Sequence, residues 1–347
     1  MELLATKLFK PQIAERLVKR NDILVKLAAG MQLRSHVTLL CAPAGYGKTT
    51  VILEYIESQH CQCAWISLDE GDNDPSRFLP YLIAALKGVR VPIPEATEYL
   101  TSDLGFDRMR AVLTGIINSI TTMNEQVILV LDDYHLIISP GVNGIIKFLI
   151  ENQPANLQLV LTSREDPNLP IAKLRVKGRI TEVRMGELCF QDSEAAEFFK
   201  STMEMKLSKQ IIEKIAKRTE GWIAGMQLAA LMFKGVESEQ IDSEVEKFSG
   251  SNSYIIDYLI EEVLENQTEE VKDFLLKTSV LEKLNGDLCN EITGRTDSSS
   301  MLNYLAKANL FLIALDSNRN WYRYHSLFSD SIRMELSLEE EYEIYKK

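Results

Sequence analysis

Two stretches of this 347-residue chain have the residue types and the spacing to handle a phosphate chain. The first is VTLLCAPAGYGKTT, residues 37–50. Gly45 and Gly47 carry no Cβ, so the backbone there can turn sharply and aim its N–H groups at phosphate oxygens. A helix starting near Lys48 adds its positive N-terminal end. Lys48 would neutralise the β- and γ-phosphates, and Thr49 would place its hydroxyl on Mg²⁺. The strict pattern G-x-x-x-x-G-K-[ST] has Gly where this chain has Ala42, but the two glycines nearest the phosphates remain. The second stretch is VILVLDDY, residues 127–134, an apolar run ending in paired carboxylates. Asp132 at the strand tip would reach the Mg²⁺ ion, and Asp133 could orient or deprotonate an attacking water. A third run, LQLVLTSR at 157–164, ends in Thr162, Ser163 and Arg164, where ligands bind in open α/β sheets. Arg164 could contact the γ-phosphate and sense its loss; a surface salt bridge is the competing reading. The bland alternatives for the first two are a chance Gly-rich turn and two acids capping a turn. Strand, loop, Lys-Thr pair and helix pattern all favour the phosphate site.

These residues need a parallel sheet to hold them. Five short apolar runs read as buried strands, at 37–43, 63–69, 127–134, 157–164 and 180–185. Helical patterns lie between them, including KTTVILEYIES, DPSRFLPYLIAALKG and DRMRAVLTGIINSI. Strands alternating with helices predict a parallel sheet covered on both faces. After about residue 186 the strands stop. Residues 192–234 read as helices, with Asp192 and Ser208 as N-caps. A polar, acidic join, KGVESEQIDSEVEK, precedes the helical SYIIDYLIEEVL. The end, LFLIALDSNRNWYRYHSLF, is two β-like runs around a polar turn, a hairpin signal. Helices followed by a terminal hairpin suggest a winged helix.

Bulk properties narrow the function. Residues 1–236 hold 27 basic and 27 acidic side chains, and residues 237–347 hold 11 and 23, which carries the whole net charge of −12. An acidic C-terminal third should repel nucleic acid, because phosphate binding needs clustered positive charge. The apolar run Ile223 to Phe233 is too short to cross a bilayer. The N-terminus shows no secretory signal. With five cysteines in all, a disulfide scaffold is not expected, and the expectation is a cytoplasmic protein without a membrane partner. HCQC at 60–63 has one residue between its cysteines where metal sites have two to four, so packing is the expectation there.

The ordered set APAGYGKTT, SLDEGDNDPSRFLPYLIAAL, LVLDDYHLI, LTSRE, GWIAGMQLAAL and YRYHSLF resembles the MalT-type branch of the STAND ATPases, the N-terminal part of large LuxR-type transcription regulators. The likeness runs from about Leu4 to Arg333, and in that family APAGxGKT is the customary P-loop. It implies ATP or ADP as ligand, with Mg²⁺, held by Ala44, Gly45, Tyr46, Gly47, Lys48, Thr49 and Thr50. It implies that Val18 and Arg20 hold the adenine end; the residues alone read as an ordinary amphipathic helix start. A related G-x-P motif that packs on adenine corresponds to Gly221-Trp222-Ile223, which lacks the proline, so Trp222 reads equally as core. It implies that His325 touches the β-phosphate of ADP, where a lone histidine near an aromatic strand is otherwise a core residue. Choice of adenine over guanine rests on the resemblance alone.

The expected architecture is a P-loop NTPase parallel sheet flanked by helices (1–186), an all-α helical domain (187–240), a winged-helix domain (241–336), and an acidic tail or the start of a further segment (337–347). The expected function is a slow ATPase switch, closed with ADP and self-associating with ATP, answering to an inducer or inhibitory protein. The alternatives are a turnover ATPase acting as a motor or loader, and a non-hydrolysing scaffold. Intact Lys48, Thr49, Asp132 and Asp133 argue against the scaffold. DNA binding is not expected of this portion.

Overall fold

The computed structural model describes residues 2–13, 16–33, 36–59, 62–93, 106–236 and 240–336. They form two compact units. The first comprises Met1–Glu15, Arg20–Ala42 and Gly47–Leu188, and the second Arg16–Lys19, Pro43–Tyr46 and Cys189–Lys347. The expected tail at 337–347 and residues 60–61 of HCQC lie outside the described residues.

The first unit is built on α1 (Asn21–Met31), β1 (Val37–Cys41), α2 (Lys48–Gln59), β2 (Gln62–Ser67), α3 (Pro75–Gly88), α4 (Phe106–Thr121), β3 (Val127–Asp132), α5 (Pro140–Glu151), β4 (Leu157–Ser163), α6 (Ile171–Val176), β5 (Ile180–Arg184) and α7 (Met185–Leu188). The strands form one parallel sheet in the order β2-β3-β4-β1-β5. β1, β3 and β4 are buried along their whole length, as uninterrupted apolar runs covered on both faces should be. β5 differs from the expectation: ITEVR is half-buried except at Val183, because it is an edge strand whose alternate residues are polar. The registers Cys41↔Ser163 and Leu131↔Leu161 bring the C-terminal ends of β1, β3 and β4 to one edge, where the P-loop and both carboxylates emerge.

The acidic stretch after β2 is local scaffolding. Asp69 and Asp72 form a capping box around Glu70–Asn73, and Asp74 caps α3 by accepting from the Ser76 N–H, with Pro75 at the first helical position. Lys7 is buried against Asp72, lies 3.0 Å from Asp69, and sits over the Tyr81 ring. Asn73 then reaches the turn after β3: its amide donates to the Leu136 carbonyl (2.7 Å), and its Oδ1 accepts from the Ile138 and Ser139 N–H groups (2.8 Å each). SLDEGDNDP and LVLDDYHLI are therefore two halves of one hydrogen-bonded support.

The second unit contains α8 (Asp192–Glu197), α9 (Lys209–Thr219), α10 (Ile223–Phe233), α11 (Ile241–Lys247), α12 (Ser253–Leu259), α13 (Glu269–Thr278), α14 (Gly286–Thr293), α15 (Ser298–Lys307), β6 (Leu312–Ala314), β7 (Tyr322–Tyr324) and α16 (Ser326–Met334). Ser208, Thr268 and Asn285 cap their helices by accepting backbone N–H groups. Asp192 is not an N-cap: Gln191 occupies that position, in a capping box with Glu194, because an amide oxygen can accept there as well as a carboxylate. The polar join is not all loop either, since Ile241 and Val245 bury one face of α11. β6 and β7 pair antiparallel, Leu312 with Tyr324, and Asp316 accepts from the Asn320 and Trp321 N–H groups to close the turn.

Candidate functional site

In the first unit, α2 begins at Lys48, whose ammonium donates to the Ala42 carbonyl at 2.9 Å. Burial pulls its pKa down to about 8; Asp133 and Asp132 act against that shift, and Arg164 adds to it. The Thr49 hydroxyl donates to Asp132 Oδ1 at 3.0 Å. Asp132 also accepts from the Thr162 hydroxyl at 2.5 Å. Burial raises the Asp132 pKa, and Asp133 adds to the rise against these two hydrogen bonds and Lys48. Thr162 Oγ1 in turn accepts from the Asp133 N–H at 2.9 Å. Asp133 needs that anchor, because its φ of +59° is left-handed backbone that a non-glycine residue rarely adopts. His135 Nδ1 lies 3.8 Å from Asp133 Oδ1 and is buried without a hydrogen-bond partner. Burial, with Arg164 and Lys48 nearby, lowers the His135 pKa to about 3, so the ring is neutral.

Of the residues expected as one site, Lys48 feels the charges of Asp133, Arg164 and Asp132, and Thr49 is hydrogen-bonded to Asp132, all in this unit. Thr50, the next helical residue, is exposed. Sequence reasoning gave Thr162 no role beyond its strand-tip position. The signal for it was a hydroxyl one register beyond the Leu131↔Leu161 pair, beside a buried carboxylate.

The second unit holds Pro43–Tyr46, the front half of the P-loop. The Trp222 Nε1–H donates to the Ala44 carbonyl at 3.0 Å, and the Ala224 N–H donates to the Gly45 carbonyl at 3.0 Å. Gly45 has φ +77°, and a Cβ there would lie 2.7 Å from Trp222 Nε1. Gly221, φ +76°, brings the preceding turn onto the Phe190 backbone, which a Cβ would meet at 2.8 Å. Tyr46 is buried, and burial, with Cys189 and Glu220, pushes its phenol well above the usual range. Trp222 packs on Phe311 (ring centroids 5.3 Å apart), His325 (5.9 Å) and Tyr258 (5.6 Å), and Tyr46 lies 6.3 Å from Phe311.

His325 is fully buried, with Nε2 2.9 Å from the Thr219 carbonyl and Nδ1 without a hydrogen-bond partner. Burial lowers its pKa, so the neutral ring donates from Nε2 to that carbonyl. Beside it, Arg323 forms a bidentate pair with Glu220 (2.9 and 2.7 Å), which also accepts from the Ser326 N–H.

Val18 and Arg20 fall in different units. Val18 is buried and lines a cavity of about 360 Å³ with Leu17, Lys19, Ser193, Glu194 and Glu197. Arg20 is buried and donates to the Glu187 and Leu188 carbonyls at 2.8 and 2.9 Å.

These residues fit a nucleoside phosphate with Mg²⁺. In the first unit a left-handed glycine at 47, a buried lysine and a helix N-terminus suit phosphate, and a hydroxyl with a carboxylate supplies the hard oxygens that Mg²⁺ takes. Among the described residues there is no cluster of three or more His, Cys, Asp or Glu that could hold a metal by protein ligands alone. An ion shared with phosphate needs no such cluster. No described helix is long and apolar enough to cross a membrane.

A family model described as an AAA domain matches residues 32–166, and one described as a MalT winged helix domain matches residues 260–344. The chain is 33% identical over 342 residues to the HTH-type transcriptional regulator MalT of Yersinia pestis (strain Pestoides F), covering 97% of this chain and 37% of that protein. It is 33% identical over 332 residues to the protein of that name from Klebsiella pneumoniae, covering 95% and 36%. It thus spans a little over a third of the length of these curated relatives. Among solved structures, a Walker-type ATPase of Pyrococcus abyssi superposes with a TM-score of 0.62 at 14% identity, over 95% of this chain and all of that one, a likeness of fold. The chain thus contains an AAA-type P-loop domain, on a parallel five-stranded sheet, and a MalT-type winged-helix domain, and it is similar over nearly its whole length to about a third of the MalT regulators.

Proposed function

We propose that the chain is the switch portion of a transcription regulator, a slow ATPase that rests with ADP and becomes active with ATP. The observation that carries the reading is the convergence of Lys48, Thr49, Asp132 and Asp133 at one edge of the first unit's sheet. The P-loop fold implies a nucleotide and, with it, Mg²⁺. Lys48 binds the β- and γ-phosphates, and Arg164 reads the γ-phosphate. Thr49 and Asp132 hold Mg²⁺, which when bound withdraws charge from the transferring phosphoryl group. Asp133 orients the attacking water and takes its proton. Val18 and Arg20 serve the adenine end. ADP rather than ATP is stabilised by His325, which gives the differential affinity that any ligand-driven switch requires. The buried His325 and the Glu220–Arg323 pair, which tie the hairpin to the end of α9, support a closed form that can be released.

In the same reading the nucleotide-binding, helical and winged-helix domains occupy 1–186, 187–240 and 241–336. The ATP form self-associates, and an inducer or inhibitory protein sets the balance. That the relatives are HTH-type transcriptional regulators supports regulation of transcription, and DNA contact is not proposed for this portion. The test is to purify the protein without added nucleotide, denature it and identify what is released, then measure turnover. About one ADP per chain and a rate well below the usual enzyme range of about 1–10³ s⁻¹ are expected. An empty protein with fast turnover would replace the switch by a working ATPase.

A further inference from the structure

We propose that Trp222 is a positioning residue for the phosphate cradle, acting through the peptide planes of the P-loop. The inference rests on the nucleotide-binding reading above. A trans peptide is planar, and its C=O and N–H point in opposite directions. Fixing a carbonyl therefore fixes the direction of the next residue's N–H. The Ala44 carbonyl is held by the Trp222 indole N–H at 3.0 Å, and the Gly45 carbonyl by the Ala224 backbone N–H at 3.0 Å. Two consecutive peptide planes are thereby locked, and with them the N–H groups of Gly45 and Tyr46, which a P-loop turns toward phosphate.

The indole has little freedom to do otherwise. It is fully buried, packed by Tyr258, Phe311 and His325 and by Gly225, where a Cβ would lie 2.6 Å from the ring. The glycines of GWIAG follow from this arrangement: Gly221 makes the left-handed turn that delivers Trp222, and Gly225 leaves room for its ring. Gly45 is required twice, for its positive φ and because a side chain would strike Trp222 and Ala224. Where a related G-x-P motif would meet the base, this turn holds the phosphate loop by its carbonyls. Substitution at Trp222 should accordingly weaken whatever binds through phosphate.

The experiment compares wild type, Trp222→Phe, and a protein carrying benzothienylalanine at 222, which keeps the bicyclic shape and replaces the N–H by sulfur. Affinities for ADP and for inorganic pyrophosphate are measured by calorimetry, with thermal unfolding as control. Loss of one buried donor should weaken ADP and pyrophosphate in parallel, by about tenfold to a hundredfold, in both variants. If the benzothienyl protein binds both like wild type, the N–H is not what positions the loop and the proposal falls. It also falls if ADP weakens while pyrophosphate does not, since the loss then lies at the base, or if only the unfolding temperature moves. A wild type that binds neither ligand would overturn the nucleotide reading itself, and this inference with it.

Discussion

The sheet edge of the first unit and the α9–hairpin junction of the second each bury a carboxylate, and they treat it oppositely. At the sheet edge the groups are pushed away from their charged forms: Asp132 is raised, Lys48 is lowered to about 8, and His135 to about 3. At the junction Glu220 is pushed toward charge. Burial alone would raise it, but the Arg323 hydrogen bonds and charge and the Ser326 N–H hold it at about 2. A region whose buried charges are paired is built to stay as it is. One whose buried charges are strained and only partly paired is built for a ligand that brings the missing charge. The contrast separates a latch from a binding site without reference to any motif.

The sharpest way to break the comparison is at Lys48. Lys48→Ala should lower ATP hydrolysis by about a hundredfold or more, read as single-turnover phosphate release. Asp132→Asn should also abolish hydrolysis yet leave the ligand-free protein as stable or more so, by up to about 1 kcal/mol in denaturant titration, because a disfavoured buried charge is gone. A clear loss of stability there would mean that Asp132 is structural, like Glu220.

Thr162 comes next. Thr162→Val keeps the shape but leaves the Asp133 N–H unpartnered and removes one of the two donors to Asp132 Oδ1, at about 1–3 kcal/mol of stability. Hydrolysis should fall with it, and Thr162→Ser should restore both. Equal behaviour of Val and Ser would show that the left-handed turn at Asp133 stands without the hydroxyl.

Two pH experiments sharpen the contrast further. Lys48 binds phosphate as the ammonium, so ADP affinity should fall as pH rises above about 8, approaching tenfold per unit, and Lys48→Arg should flatten that slope. At the junction the sign is reversed. A carboxyl depressed from 4.5 to about 2 contributes stability above pH 4.5 and loses it on acidification toward 2. Glu220→Gln should shallow that acid limb and, since Arg323 is partly exposed, cost only about 1 kcal/mol or less at neutral pH.

Much of the first unit was legible in the chain because its signals are local. A run such as VILVLDDY declares both a buried strand and the acids at its tip, and a Gly-rich turn before Lys-Thr declares a phosphate loop. ITEVR was legible as a strand but not as an edge, since edge position depends on which neighbours the strand finds. The helices of the second unit were legible by period, yet the cap at Gln191 and the helix at 241–247 were not. An amide cap and two buried residues leave too faint a pattern beside so many charges.

Among the site residues, the sequence by itself determined the chemistry on offer: a lysine, a hydroxyl and paired carboxylates at spacings that suit phosphate and Mg²⁺. Tertiary structure alone decided which side chains hold those groups in place. Asn73 supports the turn after β3 across 63 residues of chain, Thr162 joins Asp132 across 30, and Trp222 grips Ala44 across 178. A hydrogen bond between distant residues leaves no periodicity behind it. Only the packing that places donor opposite acceptor brings it into being.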